Sequence, residues 1–248
     1  MLLENKNAVV YGGGGSMGGA VARAFGREGA QVFLAGRTLS KLDQVADEIV
    51  AAGGRAETAE LDAFDQKAVE DHLDEMGGKS APIDICFNAV GVTAVQGTPL
   101  VEMSLEDFLA PVTEAARTHF VTATAAARRM TAQGSGVIVM LSSSAARESR
   151  HRMGGFNLAC ASIEAFTRSL AGEVGPEGVR VVCLRPNFTP ETTPEVSEAD
   201  VQPLIDDTLL GRLPRLAEVA GAAVFAASDD AGAMTGAVLN LTCGAIVD

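Results

Sequence analysis

The run Ala8-Val9-Val10-Tyr11-Gly12-Gly13-Gly14-Gly15-Ser16-Met17-Gly18-Gly19-Ala20 passes from apolar residues into glycines and back into a helical pattern, which reads as strand, phosphate loop and helix. Glycine at such a turn adopts positive φ and lets the backbone come close to a ligand. The helix that follows presents unpaired N–H groups and the positive end of its dipole to a diphosphate. A nucleotide is therefore the first ligand to expect, with the flanking strand and helix as the context that strengthens a glycine turn that is weak evidence alone.

Outward from this stretch, Met17, Val21, Ala24 and Phe25 keep helical spacing up to Glu28, and Gly29 stops it. Gln31–Gly36 is a short continuous apolar run suited to a strand buried on both faces of a parallel sheet, which completes a βαβ unit. Ser40 begins a second helix through Leu42, Val45, Ile49 and Val50, closed by Gly53-Gly54, and Arg55 to Leu61 reads as a third strand. Ile83–Asn88, Gly136–Leu141, Val179–Leu184 and Val238–Leu241 supply further strands. Helical spacing covers Ser104–Thr131, where Pro111 implies a kink or a late start, and Phe156–Val174. The alternation predicts an α/β chain: a Rossmann-type, doubly wound parallel sheet of about seven strands flanked by helices. Residues 1–248 read as a single domain. The proline-rich residues 187–214 break its regularity, with one amphipathic pattern near Ser197. They read either as a substrate loop or lid over the carboxyl end of the sheet or as a plain surface connection; the lid is favoured because the segment follows the sixth strand.

Composition narrows the partners. Of 248 residues, 47% are apolar and 21% charged, within the globular range, and the formal charge of −13 argues against nucleic-acid binding by phosphate neutralisation. The first residues lack the apolar region of a secretory signal and no run reaches bilayer length, so a cytoplasmic protein without membrane association is expected. Cys86, Cys160, Cys183 and Cys243, like His72, His119 and His151, are scattered. Reduced, mostly buried thiols and no metal are the expectation.

The chain resembles the short-chain dehydrogenase/reductase family over nearly all of its length. Tyr11-Gly12-x-x-x-Ser16-Met17-Gly18 sits where that family has Thr-Gly-x-x-x-Gly-x-Gly, and Asp62 follows the third strand where the family's Asp meets adenine. Asn88-Ala89-Val90-Gly91 resembles its Asn-Asn-Ala-Gly segment, and Gly136 to Ala145 resembles the strand that carries a catalytic serine. Pro186-Asn187 stands for its Pro-Gly, and Gly211 to Val219 with Thr235-Gly236 is similar to its C-terminal third. The resemblance implies that Gly12, Gly14, Ser16, Met17, Gly18, Arg37, Asp62, Asn88, Ala89, Gly91, Pro186 and Thr189 bind a nicotinamide dinucleotide. NADP(H) is the expected form. An NAD enzyme commonly places a carboxylate after its second strand, whereas here Gly36-Arg37-Thr38 offers a cation and no acid, and Arg37 can grip a 2′-phosphate with its fork. The alternative is a solvated Arg37 flanking a helix.

Carbonyl reduction in this family uses a Ser, a Tyr that gives the proton, a Lys four residues later that tunes the Tyr and holds the ribose, and an Asn on the preceding long helix. Ser143 keeps the serine position. Thirteen residues on stands Phe156, four further stands Cys160, and the Asn position falls on Ala115. The one tyrosine is Tyr11, and Lys6, Lys41, Lys67 and Lys79 all lie in the first third, so no change of register restores the pair. A phenyl ring gives no proton and a neutral thiol supplies no positive charge. Loss of a general acid lowers rates by ~10²–10⁴-fold.

The favoured reading is an NADP(H)-dependent oxidoreductase with a non-standard active site, acting on a small molecule such as an iminium ion or polarised alkene that carries its own electron demand. The other readings are a catalytically inactive cofactor-binding homologue (sensor, scaffold or partner of a related subunit) and a non-redox cyclase, lyase or isomerase on the same scaffold. Cys160 reads as inert packing before it reads as an acid or nucleophile. Arg147, Arg150, His151 and Arg152 either grip an anionic substrate or form a solvated or subunit-facing loop, and His151 is a candidate acid or simply exposed. The resemblance also implies a homotetramer or homodimer built on the helices at Ser104–Thr131 and Phe156–Val174.

Overall fold

In the computed structural model, which describes residues 1–76 and 82–248 and so leaves Lys79 outside the described residues, seven parallel strands form one sheet. They are β1 (Asn7–Tyr11), β2 (Gln31–Gly36), β3 (Arg55–Glu60), β4 (Ile85–Asn88), β5 (Gly136–Leu141), β6 (Val179–Pro186) and β7 (Ala237–Leu241), in the spatial order β3-β2-β1-β4-β5-β6-β7. The helices are α1 (Ser16–Arg27), α2 (Leu39–Ala51), α3 (Gln66–Glu75), α4 (Leu105–Gln133), α5 (Gly155–Val174), α6 (Glu198–Asp206) and α7 (Leu216–Ala227).

Strand periodicity distributes the core. Along β1, Ala8 and Val10 point into a cluster with Val21 and Phe25 of α1, Leu42 of α2 and Val219 of α7, while Val9 and Tyr11 point into the opposite cluster with Val69 of α3, Ala126 of α4 and Ile163 of α5. The sheet is thus covered on both faces, which explains why the central strands read as unbroken apolar runs. β3 lies at the edge, and its exposed Arg55 and Glu57 fit that place.

The single Rossmann-type sheet agrees with the alternation in the sequence. Of the kink or late start that Pro111 implies, the late start is not found: α4 runs from Leu105 with Pro111 inside it, because the Ser104 hydroxyl accepts the Asp107 N–H at 3.0 Å and caps the helix about two turns upstream. α3 and α7 are additional to the helices read from periodicity. The order reverses between β1 and β4, which opens a crevice at the carboxyl ends of these strands where a ligand fits.

Candidate active site

At that crevice α1 begins directly after the glycines. Its N-cap is Gly15, with no side-chain cap and no acidic residue in the first turn, so the N–H groups of Ser16, Met17 and Gly18 and the dipole remain available to an anion. Gly12 has φ +75°, and a Cβ there would lie 2.6 Å from the Ala89 carbonyl oxygen. A Cβ on Gly18 would lie 2.3 Å from the Gly12 oxygen. The loop, the end of β4 and the helix start are therefore interlocked at backbone distance, and only glycine fits both points.

Two cavities branch from this loop. The first, about 200 Å³, is bounded by Gly12, Gly14 and Gly15, by Gly36-Arg37-Thr38 after β2, by Lys41 and Leu42 of α2, by Leu61, Asp62 and Ala63 after β3, and by Val90 and Gly91. Among the described residues neither Arg37 nor Lys41 makes an ion pair, and Asp62 Oδ1 accepts the Phe64 N–H at 3.0 Å. Two cations beside uncapped helix amides suit the phosphates of a dinucleotide, so the residues present fit such a cofactor.

The second cavity, about 380 Å³, is lined by Ser16, Met17 and Gly18, by Ala89 to Val92, by Ala115 and His119 of α4, and by Phe156, Ala159 and Cys160 of α5. The Phe156 ring and Ser142 also line a third and larger cavity, about 730 Å³, together with Ser143, Pro186, Thr189, His151 and residues of α6. Ser143, Phe156 and Cys160 thus come together where the two spaces meet. The close approach of α4 and α5 permits this, since a Cβ on Gly155 would lie 1.8 Å from the Phe108 carbonyl.

The chemistry of these groups is restricted. Cys160 is 2% exposed, and burial pushes its thiol up to about 12, with the nearby Ser143 backbone opposing the rise only weakly. At neutral pH it is a neutral thiol. Ser143 accepts the Ala145 N–H at 3.4 Å, and its neighbours are committed: Ser142 Oγ donates to Glu164 and Ser144 Oγ to Asn187, each at 3.0 Å. Burial lowers His119 to about 4.

Of the residues expected to bind cofactor, Gly12, Gly14, Arg37, Asp62 and Gly91 line the first cavity, and Ser16, Met17, Gly18, Ala89 and Gly91 the second. Pro186 and Thr189 instead line the third. Asn88 is buried behind the wall, donating to Thr122 Oγ1 and accepting the Val90 N–H, both at 2.9 Å. The basic loop is clasped rather than free: Arg150 and His151 reach Asp207, just after α6, at 2.5 and 2.8 Å. Sequence reasoning missed Lys41, His119 and the buried pair Glu164–Arg185. Lys41 follows Arg37 by four residues, and Arg185 is a charge set in the apolar strand β6, so signals for both were present in the chain.

Comparison with known proteins agrees with this layout. Residues 13–245 match the family model described as enoyl-(acyl carrier protein) reductase. The chain is 32% identical over 246 residues to an uncharacterized oxidoreductase of Mycobacterium tuberculosis, covering 98% of this chain and 92% of that one. It is 29% identical to gluconate 5-dehydrogenase of Gluconobacter oxydans, covering 99% and 96%. The crystal structure of a short-chain type dehydrogenase/reductase from Mycobacterium marinum superposes with a TM-score of 0.88 at 30% identity, covering 99% of this chain and 97% of that one.

Proposed function

The chain belongs to the short-chain dehydrogenase/reductase family, and on that premise we propose that it is an NADP(H)-dependent oxidoreductase whose reaction centre lacks the family's tyrosine and lysine. The observation that carries the cofactor choice is the pair of cations Arg37 and Lys41, without an ion pair among the described residues, around the cavity at the end of β2, with no acid on that strand end. They hold the 2′-phosphate, while the Ser16–Gly18 amides hold the diphosphate.

The dinucleotide, when bound, supplies or accepts the hydride. The chain's own residues orient the other reactant. Phe156 offers an apolar wall and no proton, and Cys160 at about 12 offers neither an acid of useful strength nor a positive charge. Ser143 is left as the hydroxyl that points a polar substrate atom, so the substrate has to bring its own electron demand, as an iminium ion or polarised alkene does. Residues 187–214, which include α6, close over the 730 Å³ space as a lid within one domain spanning residues 1–248, and Arg150 and His151 latch it through Asp207. The exposed Phe120, tilted against Phe166 with ring centroids 6.2 Å apart, supports assembly of α4 and α5 with those of further subunits.

The test is fluorescence titration with NADPH and NADH, then NADPH consumption against ketones, imines and enones. Tighter binding of NADPH and turnover of imines or enones over ketones is the expected result. Binding without any turnover supports the second reading, a cofactor-binding homologue without catalysis, which the unionised Cys160 favours. Absence of binding sinks both.

A further inference from the structure

We infer that His119 is a hydrogen-bond acceptor for a sugar hydroxyl of the bound dinucleotide, made from α4 in place of the contact that a thiol at position 160 cannot supply; the inference rests on the cofactor reading above. His119 Nδ1 lies 3.0 Å from the carbonyl oxygen of Ala115, one turn earlier on the same helix. A carbonyl only accepts, so Nδ1 carries the proton and Nε2 presents a bare lone pair. The residue is 3% exposed, and among the described residues no donor reaches Nε2.

A buried acceptor without a donor is rare enough to need an explanation. Tyr11 Oη, His72 Nδ1 and Asn157 Oδ1 are also unpartnered, but the Tyr11 and His72 rings meet edge to face, with centroids 6.5 Å apart, and none of the three residues lines the cavity that His119 does. His119 differs because it lines the cavity bounded by the glycine loop and by Cys160. Most side chains around that space are apolar, among them Val90, Val92, Phe156 and Ile163, so the missing donor is to come from what fills it. The cavity is continuous with the first turn of α1, which places dinucleotide rather than lid-side substrate against it. A ribose hydroxyl suits both chemistries: it accepts from an ammonium group in a chain that has one, and by turning its proton it donates to an imidazole here.

The experiment uses the full chain labelled with ¹⁵N-histidine and two probes, NADPH and 2′,5′-ADP, which lacks the nicotinamide riboside. The His119 Nε2 resonance is expected to move on addition of NADPH and to stay in place with 2′,5′-ADP. His119→Phe is expected to raise the Kd for NADPH about tenfold while that for 2′,5′-ADP changes by less than about twofold, with His119→Gln recovering part of the loss. NADPH binding with an unmoved Nε2 resonance overturns the inference alone, as does a variant that loses both ligands alike. If neither nucleotide binds the wild-type chain, the cofactor reading falls and takes the inference with it. Should His119→Phe not fold, the resonance of the wild-type imidazole decides.

Discussion

Arg185 grips Glu164 with both prongs: its Nε and Nη2 donate to Oε1 and Oε2 at 2.7 and 2.8 Å, and the two residues are 1% and 3% exposed. Nη1 reaches the Asp248 carboxylate at the end of the chain, at 2.6 and 2.8 Å, and Glu164 also takes the Ser142 hydroxyl. The pair therefore ties β6 to α5 beneath the wall on which Ser142, Ser143 and Cys160 sit. Removing one partner leaves a buried charge uncompensated, so Glu164→Ala should lower unfolding free energy by about 3–5 kcal/mol in urea titrations. A loss under about 1 kcal/mol would mean that Asp248 alone neutralises Arg185.

Arg37 decides the cofactor if the two cations hold a 2′-phosphate. Arg37→Ala should weaken NADPH by roughly 10- to 100-fold, the worth of a charge-assisted hydrogen bond, and leave NADH nearly unaffected. Titration of both nucleotides against both proteins checks it, and equal weakening of the two would place Arg37 outside the phosphate site.

If positions 156 and 160 are where the proposed reaction centre lacks a phenol and an ammonium group, putting both back is its sharpest test. The double variant Phe156→Tyr with Cys160→Lys should gain ketone reductase activity over the wild type by about 10²-fold or more, the usual contribution of a general acid. A folded, NADPH-binding double variant that leaves ketones untouched would show that the surrounding pocket has diverged as well.

Acid sensitivity follows from the imidazoles. Burial holds His119 at about 4, whereas in the unfolded chain it takes up a proton near 6.5. Between these values the unfolded state binds more protons, so the contribution is fully present above pH 6.5 and is lost as the pH falls towards 4. By about pH 5 the loss from this residue is on the order of 2 kcal/mol. His119→Phe should flatten the fall in unfolding free energy between about pH 7 and pH 5 by that amount, and parallel curves for the two proteins would remove His119 as its cause.

What could be read along the chain was local. The glycine turn Gly12–Gly18, Arg37 just after β2 and Ser197 at the start of α6 each depend on neighbours within a few residues. α3 escaped because only Val69 and Leu73 of Gln66–Glu75 are buried, too few for an apolar period, although Asp65 caps it by accepting from Lys67 and Ala68 N–H. The helical spacing over Ser104–Thr131 is realised in α4, and Pro111 stays inside it because the Ser104 cap upstream outweighs the missing N–H.

The order of apolar runs and glycine turns by itself determined a doubly wound sheet with a glycine turn after its first strand, and the residue types by themselves put a phenyl ring at position 156 and a thiol at position 160. Only the packing of α4 and α5 on the sheet decided that Cys160 lies near the Ser143 backbone, that Arg185 finds Glu164, and that the buried His119 lines a cavity shared with the glycine loop. The physical reason is the range of the forces: turn and strand preferences act between adjacent residues, whereas burial and charge pairing join side chains far apart in sequence, and their partners exist only once the layers have closed.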